Sequence, residues 1–209
     1  MGRPRPDPRV ADRARDGEAV PAGGRPLAGL PAHPAVGVSP VRIRPYRPDD
    51  APRLYEAARE SVGDVFPWLA WCHPQYTLEE AVAWAESRGE LARQALEYHF
   101  VITGDEDRFL GGCGINHISR VHRFGNLGYW VRTSATGRGI AVSAVALSAA
   151  FAFQDTDLVR LEIVCAAGNR RSQRVAEKAG AVREGVLRDR LLVHGRPHDA
   201  VMYSIVRPR

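Results

Sequence analysis

The stretch Tyr129-Trp-Val-Arg-Thr-Ser-Ala-Thr-Gly-Arg-Gly-Ile-Ala-Val-Ser-Ala-Val-Ala-Leu-Ser-Ala-Ala150 decides the fold. It opens as a strand, breaks over Thr133–Gly139 and continues as a long apolar helix. The break carries Gly137 and Gly139 around Arg138. Two glycines at that spacing let the backbone turn tightly and come close to a ligand. The helix that follows offers unpaired first-turn N–H groups and the positive end of its dipole. A strand, a glycine loop and a helix N-terminus together suit a phosphate or pyrophosphate. Arg138 is placed to add a charge-assisted bond to that anion. The same pattern also fits a strand-to-helix turn with no ligand, so the rest of the chain has to decide.

Within the break, Thr136-Gly137-Arg138-Gly139-Ile140-Ala141 resembles the pyrophosphate loop of the GNAT superfamily of N-acetyltransferases, Arg/Gln-x-x-Gly-x-Gly/Ala. Gly139 and Ala141 hold the last two fixed positions. Thr136 departs from the first, keeping a hydroxyl without the long polar reach. Further on, Asn169-Arg-Arg-Ser172-Gln-Arg-Val175-Ala176-Glu-Lys178-Ala-Gly180-Ala181 resembles the same family's Asn-x-x-Ser-x-x-Val-Ala-x-Lys-x-Gly-Phe segment, and Glu184-Gly185-Val186-Leu187-Arg188-Asp189 follows as it does there. That spacing is far more specific than Gly-x-Gly alone. Ala181 replaces the usual Phe, which costs packing and no chemistry. The resemblance spans about Val41 to Val206. It implies an α+β fold in α/β/α layers: a central, mixed, mostly antiparallel twisted sheet of about seven strands with helices on both faces.

Length and composition bound the possibilities. A chain of 209 residues suits one full domain and an appendage. The formal net charge is +5, but the basic residues are spread and almost all are Arg, with Lys178 the single lysine. No aromatic-interleaved basic patch appears, so direct nucleic-acid binding is not expected. Cys72, Cys113 and Cys165 lie far apart without a Cys-x-x-Cys, which fits a reducing cytoplasm. No apolar run has bilayer-spanning length, and no membrane partner is expected. The Pro-, Gly-, Ala- and Arg-rich segment 1–40 lacks periodicity and large apolar residues, and reads as a disordered tail ahead of a domain over 41–209.

From Val41 the elements follow in order. Val41–Tyr46 alternates as a first strand, and Pro48-Asp49-Asp50 starts a helix through about Ser61. Asp64–Tyr76 is aromatic-rich, with Trp68, Trp71 and His73. Thr77 and Glu80 form a capping box for the next helix. Strands follow at Glu97–Thr103, Arg108–His117, Asn126–Val131 and Leu158–Cys165, with a helix over Gly139–Asp155. Leu191–Ser204 reads as a closing hairpin. His194 and His198 have a helical metal spacing, but Gly195 and Pro197 forbid the helix, so no metal is expected.

The resemblance assigns roles. Its co-substrate is acetyl-CoA. The acetyl-pantetheine arm enters where strands four and five splay apart, which puts Trp130, Val131 and Arg132 beside it, and Thr136, Gly137, Arg138, Gly139, Ile140 and Ala141 around its pyrophosphate. Asn169 either caps its helix or caps it and also bonds the pantetheine. Ser172 is a second capping hydroxyl or the general acid for the leaving thiolate. Many relatives use a Tyr there; none occurs between Tyr129 and Tyr203, so Ser172 or a water is the better candidate. Trp68, Trp71 and His73 either seat the helices or shape the acceptor site, and "Pro-Trp-Leu" before a Thr-capped helix resembles the branch that acetylates ribosomal proteins at alanine or serine. That branch places a basic carboxylate where this chain has Leu191. Asp189, two residues before Leu191 and so on the same face of a regular strand, His73 through water, or His117 could serve instead. The acceptor is then a protein α-amine, a small amine such as an antibiotic or polyamine, or nothing at all in a degenerate acyl-CoA-binding protein. Whether the chain forms a homodimer is left open.

Overall fold

The computed structural model describes residues 41–209. The tail expected over 1–40 lies outside the described residues. Eleven elements run in order: β1 (Arg42–Pro45), α1 (Ala51–Val65), α2 (Leu78–Arg93), β2 (Tyr98–Thr103), β3 (Phe109–Ser119), β4 (Phe124–Val131), α3 (Ile140–Asp155), β5 (Arg160–Ala166), α4 (Arg170–Lys178), β6 (Val182–Val193) and β7 (Arg196–Val206). The strands form one seven-stranded sheet in the order β1-β2-β3-β4-β5-β7-β6. Every neighbouring pair is antiparallel except β4 with β5. This is the mixed, helix-covered sheet that the sequence implies; most strand boundaries move by a residue or two, but α1 runs on to Val65 and β6 begins at Val182, well ahead of the hairpin expected from Leu191.

Strand alternation divides the core between two faces. Phe100 and Ile102 of β2 join Leu127, Leu161 and Ile163 under α3 and α4. Val101, between them, joins Phe109 and the apolar side of α1 and α2. α3 is Ala- and Val-rich on all sides and presses deeply on the sheet, with Ala144, Val145, Ala149 and Ala152 fully buried. On the other face Thr77 caps α2 as the sequence predicts, its Oγ1 accepting from Glu80 N at 3.3 Å while Glu80 Oε2 accepts from Thr77 N at 2.9 Å.

The β4–β5 pair sets the geometry of everything near it. Its ladder holds only for Phe124↔Arg160, Gly125↔Leu161 and Asn126↔Glu162. Beyond Asn126, β4 goes on pairing with β3 up to Gly111↔Val131, and β5 goes on pairing with β7 up to Ala166↔Ala200. The two strands therefore part, and the backbone groups they turn towards each other have no strand partner.

A buried ionic knot anchors the start of the domain. Arg44, 3% exposed, donates from Nη1 and Nη2 to both oxygens of fully buried Asp50 at 2.7 Å. Its Nε and Nη2 also reach Asp107 in the β2–β3 turn at 2.8 Å. Asp50 further accepts from Arg47 N at 2.8 Å and Arg53 Nη2 at 2.8 Å, so its charge is fully compensated. Removing one partner from such a cluster strands the other charges in a dry site. Asp50→Ala is expected to lower the unfolding free energy by about 3–5 kcal/mol in urea titration. Glu90→Ala, which breaks an exposed helix pair with Arg93, should leave the urea midpoint essentially unchanged.

Candidate active site

The break before α3 has the form the sequence suggests. Gly137 and Gly139 both adopt left-handed backbone, at φ 78° and 75°. A Cβ on either would meet nothing within 4 Å, so the surface above them is open. Gly139 occupies the N-cap of α3 and no side chain caps that helix. Ser143 N is the first amide to find an intrahelical carbonyl, that of Gly139. The amides of Ile140, Ala141 and Val142 thus face outward without a protein acceptor among the described residues. Arg138 is exposed beside them and forms no ion pair among the described residues. Open glycines, uncapped amides and a free guanidinium suit a pyrophosphate. Thr136 does not join them: its Oγ1 donates to Thr133 O at 2.9 Å, inside its own turn.

α1 holds this loop in place. Arg132 Nε donates to Glu60 Oε2 at 2.9 Å, its Nη2 to Glu60 and to Glu56 Oε1 at 2.9 Å, and its Nη1 to Phe109 O at 3.3 Å. Ser134 N donates to Glu60 Oε1 at 2.7 Å. Thr133 N donates to Ser61 Oγ at 3.0 Å, and Thr133 Oγ1 to Asp64 Oδ2 at 2.8 Å. The guanidinium of Arg132 therefore turns to α1 rather than into the gap. Asp64 also accepts from Arg171 Nη1 of α4 at 3.0 Å. α1 and α4 lie on opposite faces of the sheet, and their side chains meet at its open end.

Three segments border the gap. The first is the end of β4. Val131 packs towards the α3 face. Trp130 points to the other face, with its ring 6.1 Å from Phe109 and 5.2 Å from Trp71. The indole lies directly on Gly112: a Cβ there would come within 2.8 Å of Trp130 Nε1 and 2.6 Å of Tyr46 Oη. The second is the turn from β5 into α4. Asn169 caps α4, its Oδ1 accepting from Ser172 N at 3.1 Å. Ser172 Oγ lies 3.2 Å from Cys165 Sγ and 3.0 Å from Tyr129 Oη. The third is the aromatic segment after α1. Trp68 approaches Gly168, where a Cβ would sit 3.4 Å from its Cη2. Trp71 is 37% exposed and stacks edge-on to Tyr76 at 5.6 Å. His73 pairs with Glu80 through Nε2 at 2.9 Å.

The β6–β7 hairpin reaches this third segment. His194 and Gly195 take φ 50° and 74°, as a tight two-residue hairpin turn requires. His194 Nε2 donates to Phe66 O at 2.8 Å, and the two rings lie 4.2 Å apart. Within β6, Arg188, Asp189 and Arg190 face only Asp199, between the pairs Leu187↔Ala200 and Leu191↔His198. Asp189 takes φ 48° in that bulge and donates its N–H to Asp199 Oδ1 at 3.0 Å. The bulge breaks period-two alternation, so the face of Asp189 does not follow from that of Leu191. His117 lies elsewhere, past the Asn116↔Asn126 pair where β4 and β5 are still joined.

Sequence reasoning missed Tyr129 and the carboxylates of α1. Tyr129 sits in a strand that reads as cofactor-lining backbone, and only the three-dimensional approach of α4 to β4 brings its hydroxyl to Ser172. Glu56, Glu60 and Asp64 at four-residue spacing do mark one helix face, a signal that could have been read.

A sheet that opens at a parallel pair, with a glycine loop and an uncapped helix at the opening, defines a class of acyl-transfer folds. Residues 41–182 match the family model for the acetyltransferase (GNAT) domain. The chain belongs to that family. It is 30% identical over 172 residues to YdaF of Bacillus subtilis strain 168, a candidate ribosomal N-acetyltransferase, covering 80% of this chain and 91% of that protein. It is 28% identical over 99 residues to a ribosomal-protein-serine acetyltransferase of Escherichia coli, covering 47% of this chain and 55% of that one. Among solved structures, Mycobacterium smegmatis RimJ in complex with CoA-disulfide superposes with a TM-score of 0.73 at 27% identity, covering 79% of this chain and 81% of that one. The chain is thus similar to proteins of the RimJ/RimL-like branch. No helix among the described residues is long and apolar enough to cross a membrane.

The tie between α1 and the loop carries a pH signature. The bonds from Arg132 and Ser134 hold the Glu60 carboxyl far below its usual 4.5, at about 2. A depressed carboxyl stabilises the fold fully above its unfolded pKa and loses that contribution as pH falls towards the folded value. Wild type should therefore lose more stability than Glu60→Gln between about pH 5 and 3, read from unfolding midpoints at each pH.

Proposed function

We propose that this protein transfers the acetyl group of acetyl-CoA to a primary amine, the acceptor being the α-amine of a protein N-terminus of ribosomal-protein type. The observation that carries the proposal is the parting of β4 from β5, with open amides at one end and Ser172 at its edge. The RimJ neighbour's bound CoA disulfide supports a CoA thiolester as donor.

In this reading the first turn of α3, Gly137, Gly139 and Arg138 hold the pyrophosphate of the donor. The pantetheine arm lies in the gap and pairs with the free edge of β4. Asn169 caps α4 through Oδ1, which leaves its amide nitrogen to meet the arm. Trp68, Trp71 and His73 border the acceptor side. A base takes a proton from the ammonium, the amine attacks the acetyl carbon, and the N–H groups at the end of β4 polarise the carbonyl. The C–S bond then breaks, and Ser172 gives its proton to the departing sulfur. Asp189 is the base. Its carboxylate is exposed and forms no ion pair among the described residues, whereas Glu60, Asp64, Glu80 and Glu184 are all engaged by Arg or His. Much of the acceleration comes from holding donor and acceptor in one cleft.

Purified protein incubated with acetyl-CoA and an amine panel should release thiol with short peptides bearing N-terminal Ala or Ser. Release with small amines alone would move the acceptor to metabolites or drugs, and acetyl-CoA binding without release would leave an acyl-CoA-binding protein. Ser172→Ala should lower kcat by about 100-fold. Asp189→Asn should lower kcat comparably with acetyl-CoA affinity kept, and unchanged turnover would reject Asp189 as the base.

A further inference from the structure

Beyond the Asn126↔Glu162 pair the two walls of the gap are no longer laddered. Tyr129, on the β4 wall, is bonded to α4 on the other side. Its Oη donates to Ser172 O at 2.9 Å and lies 3.0 Å from Ser172 Oγ. A phenol has one proton, so with that proton on the carbonyl its oxygen can only accept from the serine hydroxyl. The other neighbour of Ser172 Oγ is Cys165 Sγ at 3.2 Å, a weak acceptor. Burial pushes up the pKa of both the Tyr129 phenol and the Cys165 thiol. Both stay neutral, and neither competes as an anion for the serine proton. The hydroxyl is thus held by weak acceptors and is free to turn to a stronger one. A thiolate appearing in the gap is such an acceptor.

We propose that Tyr129 is a positioning residue for thiol departure: it fixes the first turn of α4 against β4, so that the Ser172 hydroxyl faces the leaving sulfur. This rests on the reading of Ser172 as general acid. In the step itself the C–S electron pair goes to sulfur, sulfur takes the proton of Ser172 Oγ, and the serine regains a proton from solvent. The nitrogen gives up two protons, one to the base before attack and one from the tetrahedral adduct, and both pass on to solvent. Tyr129 stays protonated throughout, because a phenolate in that site is opposed by its burial.

Tyr129→Phe keeps the ring and removes both bonds to Ser172. Its kcat should fall about 10- to 100-fold, with KM for acetyl-CoA and acetyl-CoA binding by calorimetry changed less than about threefold. Retained binding also shows that the variant is folded. The deciding comparison is a double-mutant cycle. If Tyr129 acts through Ser172, Tyr129→Phe should cost nothing further in a Ser172→Ala background. A role confined to holding the fold together would give the same loss in both backgrounds, and that result overturns the proposal. So does a Tyr129→Phe enzyme with wild-type kcat while Ser172→Ala is impaired. Full activity in Ser172→Ala removes the reading of Ser172 itself, which separates that failure from the failure of the tyrosine's role.

Discussion

A parallel strand pair that ends after Asn126↔Glu162, in the middle of a sheet, is the constraint on which the rest depends. Backbone amides and carbonyls inside a protein have to be satisfied. Here they are left facing each other across a gap, on strands that stay rigid because β3 and β7 hold their far sides. A ligand with an extended, amide-bearing arm can complete the ladder. The same opening lets side chains from opposite faces meet, as Asp64 of α1 does with Arg171 of α4. Tyr129 meets Ser172 on the α3–α4 face beside the opening.

Charge is distributed around the opening with a clear division. The carboxylates of α1 are spent on protein groups: Glu56 and Glu60 on Arg132, Glu60 on Ser134 N, Asp64 on Thr133 and Arg171. These contacts fix the strand-to-loop corner so that the glycines after it need no contacts of their own. Among the described residues, Arg138 forms no ion pair and the first amides of α3 have no protein acceptor. A preformed anion site needs that combination, because donors already bound to protein acceptors would have to be released before binding.

Much of this was legible in the sequence where the physics is local. The Thr77–Glu80 box, the Asn169 cap and the tight turn at Gly137 and Gly139 follow from residue type and spacing alone, and the structure shows each of them. The alternating strands gave the sheet. What sequence could not supply were facts that depend on three-dimensional neighbours. Trp130 and Arg132 were expected beside the cofactor because their strand was; in the structure the indole packs on Gly112 and Trp71, and the guanidinium is drawn to α1. Asp189 was placed by period-two counting, which the bulge at Arg188–Arg190 breaks. Tyr129 needed the approach of another element before its hydroxyl had a partner.

The corner proposed to hold the anion is, apart from Arg138, made of main chain: open glycines and the uncapped amides of α3. Main-chain donors are the same whatever side chain follows them, so most substitutions on α3 leave that corner intact. The opposite side, around Trp68 and Trp71, is made of side chains on a connecting segment. On the proposed function, mutation there would rework acceptor choice one residue at a time while the donor end stays constant. A scaffold divided in this way is a ready starting point for laboratory evolution towards new amines, with the library confined to the aromatic segment and the tip of the β6–β7 hairpin.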